Sequence, residues 1–335
     1  MHGSEVRSTS VQLAEIASSE PFPGLPTRPE PEALGCARGS PVFSGRPGGL
    51  AVRSDGAVLL SLPSTRAVWR VDRGWAHSVS EIEVEEARDG LGRSLVAPTG
   101  LSTGPDGTLY VADVAGHRIW AISPGGSWLL VAGSVCGYGD GPSGEARFRR
   151  PTDVTIGPDG TLYVADSGNH CIRTISPGGV VATLAGSIFD FGDGRGADGR
   201  FRQPLALDVD AAGNCYVADT GNNAIRRVAP DGEVTTVVGS PQGGDADGVG
   251  MEVGLRWPTG IAIGHGGELW VADYGNRAVR RIERNGATTT ALRFEGQRWP
   301  VCPALTPEGE LIVAIEVISG KTRPQSRLIS IQAAR

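Results

Sequence analysis

Four phrases in this chain are near copies of one another: Leu109-Tyr-Val-Ala-Asp113, Leu162-Tyr-Val-Ala-Asp166, Cys215-Tyr-Val-Ala-Asp219 and Leu269-Trp-Val-Ala-Asp273. Their aspartates stand 53, 53 and 54 residues apart. A period of that length means one supersecondary unit reused, each copy too small to bury its apolar faces alone and so obliged to stack on the next. Upstream of each phrase lie a proline, a short apolar run and a turn, as in Pro151-Thr-Asp-Val-Thr-Ile156 and Gly157-Pro-Asp-Gly160. Downstream come a Gly-Asn turn (Gly168-Asn169, Gly221-Asn222, Gly275-Asn276), an Ile/Val-Arg strand, a second turn and a β-branched run such as Val180-Val-Ala-Thr-Leu184. Gly and Asn tolerate positive φ and Pro-Asp-Gly favours a tight reversal, so each unit reads as four short antiparallel strands, a to d, joined by hairpins. Two weaker copies flank the clear four: Pro47-Gly-Gly-Leu-Ala-Val52, with Leu62 in place of the aspartate, and Pro300-Val-Cys-Pro-Ala-Leu305, with Ile315 there and Glu316 beside it.

Six four-stranded sheets without helical periodicity between them predict an all-β fold, a six-bladed β-propeller whose blades pack face to face around an axis. The Tyr-Val-Ala-Asp-x-Gly-Asn core with its following Ile-Arg resembles the NHL repeat, and the resemblance covers residues 46 to 332. Length alone suggests two domains, but a closed ring is one, with blades starting near residues 47, 98, 151, 204, 258 and 300. The sixth unit shows strands a to c at Pro303–Ala304, Leu311–Ile315 and Arg327–Ile331 and then ends without a fourth. Val11-Gln-Leu-Ala-Glu-Ile-Ala17 matches the outer-strand phrase Val180 to Gly186. Residues 1–19 are therefore expected to close the last blade and 20–46 to form a connector, the alternative being an unstructured leader.

Composition fits an ordinary soluble protein: 39% hydrophobic residues, no run long enough to span a membrane, and no apolar signal-peptide core in Met1–Arg7. The five cysteines, Cys36, Cys136, Cys171, Cys215 and Cys302, are odd in number and share no motif spacing, so neither a disulfide framework nor a metal site is indicated and a cytoplasmic setting is expected. Of the 31 basic residues only Lys321 is lysine, a bias we attribute to a GC-rich bacterial genome. Any anion would thus meet guanidinium forks, which grip carboxylate and phosphate bidentately.

Antiparallel alternation puts the a-to-b and c-to-d turns at one end of the ring and the b-to-c and d-to-a loops at the other. The first end receives only short turns; the second receives long connectors, Gly133 to Arg150, Gly186 to Gln203 and Gly239 to Trp257, with Ser18 to Arg46 as a further one by the closure assignment. Long loops on a rigid scaffold are where binding concentrates, and the NHL resemblance implies a partner or ligand on that same top face. The repeated Asp113, Asp166, Asp219 and Asp273 precede tight turns and read as turn caps rather than as a carboxylate ring. Asp140-Gly, Asp193-Gly and Asp247-Gly lack the alternating ligands of a calcium loop and read as turns.

Arg149, Arg202, Arg256 and Arg298 each lie two residues before the proline that opens an inner strand, so the repeat sets them at equivalent points around the mouth of the ring, where they would focus positive potential despite the net charge of -6. The competing reading is four separate rim salt bridges to the turn aspartates. Among the small residues of the inner strands, Asp153 and Asp208 are misplaced and each needs a hydrogen-bond partner or a raised pKa. With Glu316, Cys302, Trp257 and Trp299 they are expected to line a polar pocket with aromatic walls near the axis, as a buried structural network or as acid–base groups. His2, His77, His117, His170 and His265 form no ligand pair at i, i+4 spacing, and no Gly-x-Ser-x-Gly elbow occurs, so nucleophilic and metal chemistry find no support and no cofactor is expected.

Two functions follow. The first is a binder of a small anionic ligand or a protein partner on the top face and central opening. The alternative is a metal-independent lyase, isomerase or hydrolase of bacterial secondary metabolism using Asp153, Asp208 or Glu316, as in strictosidine-synthase and gluconolactonase propellers, whose architecture the chain resembles without sharing their motifs. RNA binding, known for some NHL propellers, needs a broad basic field with stacking aromatics, which 6% aromatics and a pI near 5.5 do not provide.

Overall fold

A computed structural model describes residues 42–72, 75–78, 95–318 and 323–331. Six antiparallel sheets form the ring. Blade 3 shows the pattern, with strand a at Pro151–Ile156, b at Leu162–Asp166, c at Cys171–Ile175 and d at Val180–Ala185. Blade 1 opens at Leu50–Val52, blade 2 at Pro98–Thr103, blade 4 at Pro204–Val209, blade 5 at Pro258–Ile263 and blade 6 at Arg298–Leu305.

The repeated phrase explains the stacking. On a strand, alternate side chains face opposite ways. Leu162 and Val164 accordingly pack into the seam with blade 2, against Ala112, Ile119 and Phe148, while Tyr163 and Ala165 pack into the seam with blade 4, against Leu207, Cys215 and Val217. Both faces are buried, which is why the strand has no polar position until its terminal aspartate. Six such clusters fill the six seams, so the core is a set of inter-blade layers.

Ring closure differs in its residues from the expectation. The outer place in blade 6 is taken by Val42–Ser44, paired antiparallel with Gln325–Ile331 through Val42↔Arg327, Phe43↔Ser326 and Ser44↔Gln325. Residues 11–17, to which the sequence assigned this role, lie outside the described residues. The segment that closes the ring is the one adjoining blade 1: Gly45, at φ 112°, turns the chain immediately into Pro47 and Leu50, leaving no room for a long connector at this junction. Phe43 is buried and its ring lies 5.9 Å from that of Trp69 in blade 1, so three residues hold two blades together.

The three long connectors, 133–150, 186–203 and 240–257, run outward before turning in. Each adds a two-residue strand, Gly141–Pro142, Gly194–Arg195 or Gly248–Val249, to the outer edge of the blade it is about to enter. That pairing anchors the loops of the top face to the scaffold.

Candidate functional site

The top face is organised by a network that repeats in blades 3, 4 and 5. The strand-b aspartates are fully buried. Asp113 caps the turn that follows it, accepting Gly116 N–H at 3.2 Å, whereas in blades 3, 4 and 5 the aspartates do not. Asp166 Oδ1 accepts the backbone N–H of Arg149 at 2.7 Å, and its Oδ2 accepts from Asn169 at 2.8 Å and from the Arg173 guanidinium at 2.9 Å. Asp219 does the same with Arg202 N–H (2.7 Å), Asn222 (2.8 Å) and Arg226 (3.0 Å); Asp273 accepts from Arg256 N–H (2.7 Å) and Asn276 (2.8 Å) and forms an ion pair with Arg280, whose Nε lies 3.1 Å away. Burial pushes each of these carboxyls up, to about 6, against the lowering by those donors.

Arg173, Arg226 and Arg280, the arginines of the Ile/Val-Arg strand, have no exposed surface. Their second partners are the connector aspartates, Asp140 at 2.5 Å, Asp193 at 2.8 Å and Asp247 at 2.7 Å. The Asp-Gly pairs of the connectors are therefore ionic hooks as well as turns. Aromatic rings cover the guanidinium faces: Tyr138 and Phe148 lie 5.0 and 5.2 Å from Arg173, Phe191 and Phe201 4.7 and 5.4 Å from Arg226.

Because the strand-b aspartates are engaged this way, the rim arginines have no salt bridge to them. Arg149, Arg202, Arg256 and Arg298 are exposed, and none forms an ion pair among the described residues. The backbone of the first three is held from both sides, by the aspartate on N–H and by Gly168, Gly221 or Gly275, which donates to the arginine carbonyl at 2.8 Å. These glycines serve close approach: a Cβ on Gly221 would stand 2.5 Å from both Arg202 Cγ and its carbonyl oxygen. The left-handed residue of the turn is the fourth after the strand-b aspartate. His117, His170 and Asn223 adopt φ of 57°, 56° and 50°, and their side chains accept the N–H of Arg150, Gln203 and Trp257, tying each turn to the connector entering the next blade. The histidines accept through Nδ1, so both are neutral there; burial and the nearby arginines lower their pKa.

The sequence-predicted residues separate into three places. Cys302, Asp153 and Asp208 line an axial cavity of about 280 Å³. Trp257 stands on the surface, 57% exposed. Trp299 stacks on Tyr274 at 6.2 Å, and Tyr274 donates its hydroxyl to the buried Glu316 at 2.9 Å, with Arg46 3.4 Å from the same carboxylate. The expected aromatic-walled axial pocket is thus not formed: an inner-strand residue projects into the channel only below the β-bulge that follows the opening proline, and both tryptophans lie above it. Within the channel, Asp153 accepts the N–H groups of Val154 and Leu207, each at 2.9 Å, and Asp208 those of Val209 and Ile263, each at 2.9 Å. Each carboxylate staples its blade to the next. Burial pushes Asp153 to about 8 and Asp208 to about 6, and raises the Cys302 thiol.

Sequence reasoning missed Phe189. It is half exposed, with Arg202 4.4 Å over its ring and His170 edge-on at 4.9 Å. The signal was the apolar residue following Gly-Ser at the start of two connectors, Gly133-Ser-Val135 and Gly186-Ser-Ile188-Phe189.

The geometry defines a six-bladed β-propeller in which blades 3, 4 and 5 share one turn-and-anchor network. The NHL repeat model matches residues 95–122 and 148–175 of the chain. The chain is 31% identical over 205 residues to Protein SUPPRESSOR OF QUENCHING 1, chloroplastic, of Arabidopsis thaliana, covering 56% of this chain and 19% of that protein. With NHL repeat-containing protein 2 of Bos taurus it shares 30% identity over 219 residues, 56% of this chain and 30% of the relative. The chain thus spans less than a third of either relative's length. A solved gluconolactonase from Xanthomonas campestris superposes with a TM-score of 0.61 over 98% of this chain and 99% of that one, at 16% identity, a likeness of fold alone. Among the described residues no helix is long and apolar enough to cross a membrane.

Proposed function

We propose that this propeller is a binding module whose connector-rich face holds a small ligand or protein partner carrying negative charge, over the mouth of the axial channel. One observation carries the reading. The rim arginines present guanidinium groups to solvent from pinned backbone, while the aspartates that would neutralise them are already bound to Arg173, Arg226 and Arg280. Such donors are preorganised, which lowers the ordering cost of binding. A charge-assisted contact contributes roughly 1.5–3 kcal/mol, so two arginines fall short of the roughly 8 kcal/mol of micromolar affinity, and apolar burial on the same face must supply the rest. The free thiols of Cys136, Cys171, Cys215 and Cys302 are in keeping with a cytoplasmic, reducing setting.

The second reading, a metal-independent lyase, isomerase or hydrolase, draws support from Asp153, whose carboxyl is raised to about 8 inside the axial cavity. The inter-blade hydrogen bonds of both axial carboxylates favour the scaffold role over it. Thermal-shift measurement against anionic metabolites, at rising salt and with Arg202→Ala/Arg256→Ala, tests the proposal: stabilisation that fades with salt and in the double variant is expected. Absence of any stabilising anion, or a hit indifferent to the double variant, rejects it. Turnover of a hit, lost in Asp208→Asn with binding retained, would favour the enzyme.

A further inference from the structure

The rim arginines do not stand alone. Phe189, Ile188 and Trp257 are 50%, 49% and 57% exposed on the same connectors. Phe189 is held between the Arg202 guanidinium and the His170 ring. Trp257 is fixed at φ 49° by the bond from its N–H to Asn223. These are large apolar side chains on ordered backbone next to unpaired cations, the make-up of interface hot spots. The exposed acids of the connectors are mostly paired, Asp140, Asp193 and Asp247 with the buried arginines, Asp190 with Arg200 and Asp245 with Arg293. Glu145, Asp198 and Glu252 lie beside the two-residue strands at the outer edges of the blades.

Resting on the binding reading above, we propose that the occupant is an acidic protein segment that also carries aromatic or aliphatic side chains. Its carboxylates would meet Arg149, Arg202 and Arg256, and its apolar groups would cover Phe189 and Trp257. A small inorganic anion would leave those rings in water. The net charge of -6 disfavours a polyanionic membrane surface or a long nucleic acid, either of which would extend past the arginines. A narrow peptide can stay on the inner ring, where the exposed acids Asp190 and Asp245 are already paired with Arg200 and Arg293.

Fluorescence anisotropy on the full chain tests this with labelled poly-glutamate and a labelled glutamate–tyrosine copolymer of matched length. The copolymer should bind at least about tenfold more tightly. Phe189→Ala and, separately, Trp257→Asn, which suits the left-handed backbone, should each weaken the copolymer severalfold and poly-glutamate by a smaller factor. Arg202→Ala/Arg256→Ala should weaken both. Equal affinity for the two polymers, or apolar variants without effect while melting normally, overturns the peptide assignment and leaves anion binding standing. Binding of neither polymer, with no metabolite hit, removes both. Tighter binding of poly-uridylate or of phosphatidylserine vesicles than of the copolymer also overturns the peptide assignment.

Discussion

Asp153 and Asp208 show how little a residue's oddity says about its work. Both were conspicuous as carboxylates among glycines and alanines, and both spend their oxygens on backbone N–H groups, one of them in the neighbouring blade. The folded pKa of Asp153, about 8, lies above its ordinary 3.8. The folded state therefore binds this proton more tightly than the unfolded chain, so the group's contribution to stability is full below about pH 4 and is lost as pH rises through about 8. Asp153→Asn stays neutral and keeps an oxygen for Leu207 N–H. It should flatten that dependence, read as the difference in urea midpoint between about pH 5 and about pH 8.5 relative to wild type. An unchanged difference would mean that the carboxyl is already ionised in the fold.

Strands and loops are coupled through the buried arginines. In blades 3, 4 and 5 a single guanidinium joins the end of strand b to the connector that precedes the blade. Blade 2 has Trp120 where those blades have arginine, and Asp113 there accepts only N–H groups, from Val96, Ala97 and Gly116. The same substitution should then cost different amounts in different blades. Asp219→Ala leaves Arg226 buried without its internal partner and should cost about 3–5 kcal/mol, whereas Asp113→Ala removes a cap and should cost about 1–2 kcal/mol. Chemical denaturation of the two variants checks this; equal losses would show that the guanidinium adds nothing to the aspartate's role. The repeat made these elements visible, since phrase, turn and arginine recur in register. The pairing was not visible: Asp219 and Asp193 lie 7 and 33 positions from Arg226, and only the outward course of the connector brings both to one guanidinium.

The ring as a whole depends on its seam. Phe43 lies in a closing strand of three residues and packs with Leu60, Val301 and Leu328 from both sides of the junction. Phe43→Ala should cost about 3–5 kcal/mol, seen as a lowered denaturant midpoint; a loss under about 1 kcal/mol would show that the seam is held elsewhere. The amino-acid sequence by itself determined the blade count, the all-β class, the top-face connectors and the equivalent spacing of the rim arginines. Those follow from a period near 53 residues and from two-fold alternation, both local properties of the chain. Tertiary structure alone decided which segment closes the ring, that the strand-b aspartates of blades 3, 4 and 5 bind buried arginines instead of the rim ones, and that Trp257 faces solvent while Trp299 stacks on Tyr274. These pairings depend on which groups far apart in sequence meet across a blade seam, and a repeat fixes the places available there without fixing the partner that fills them.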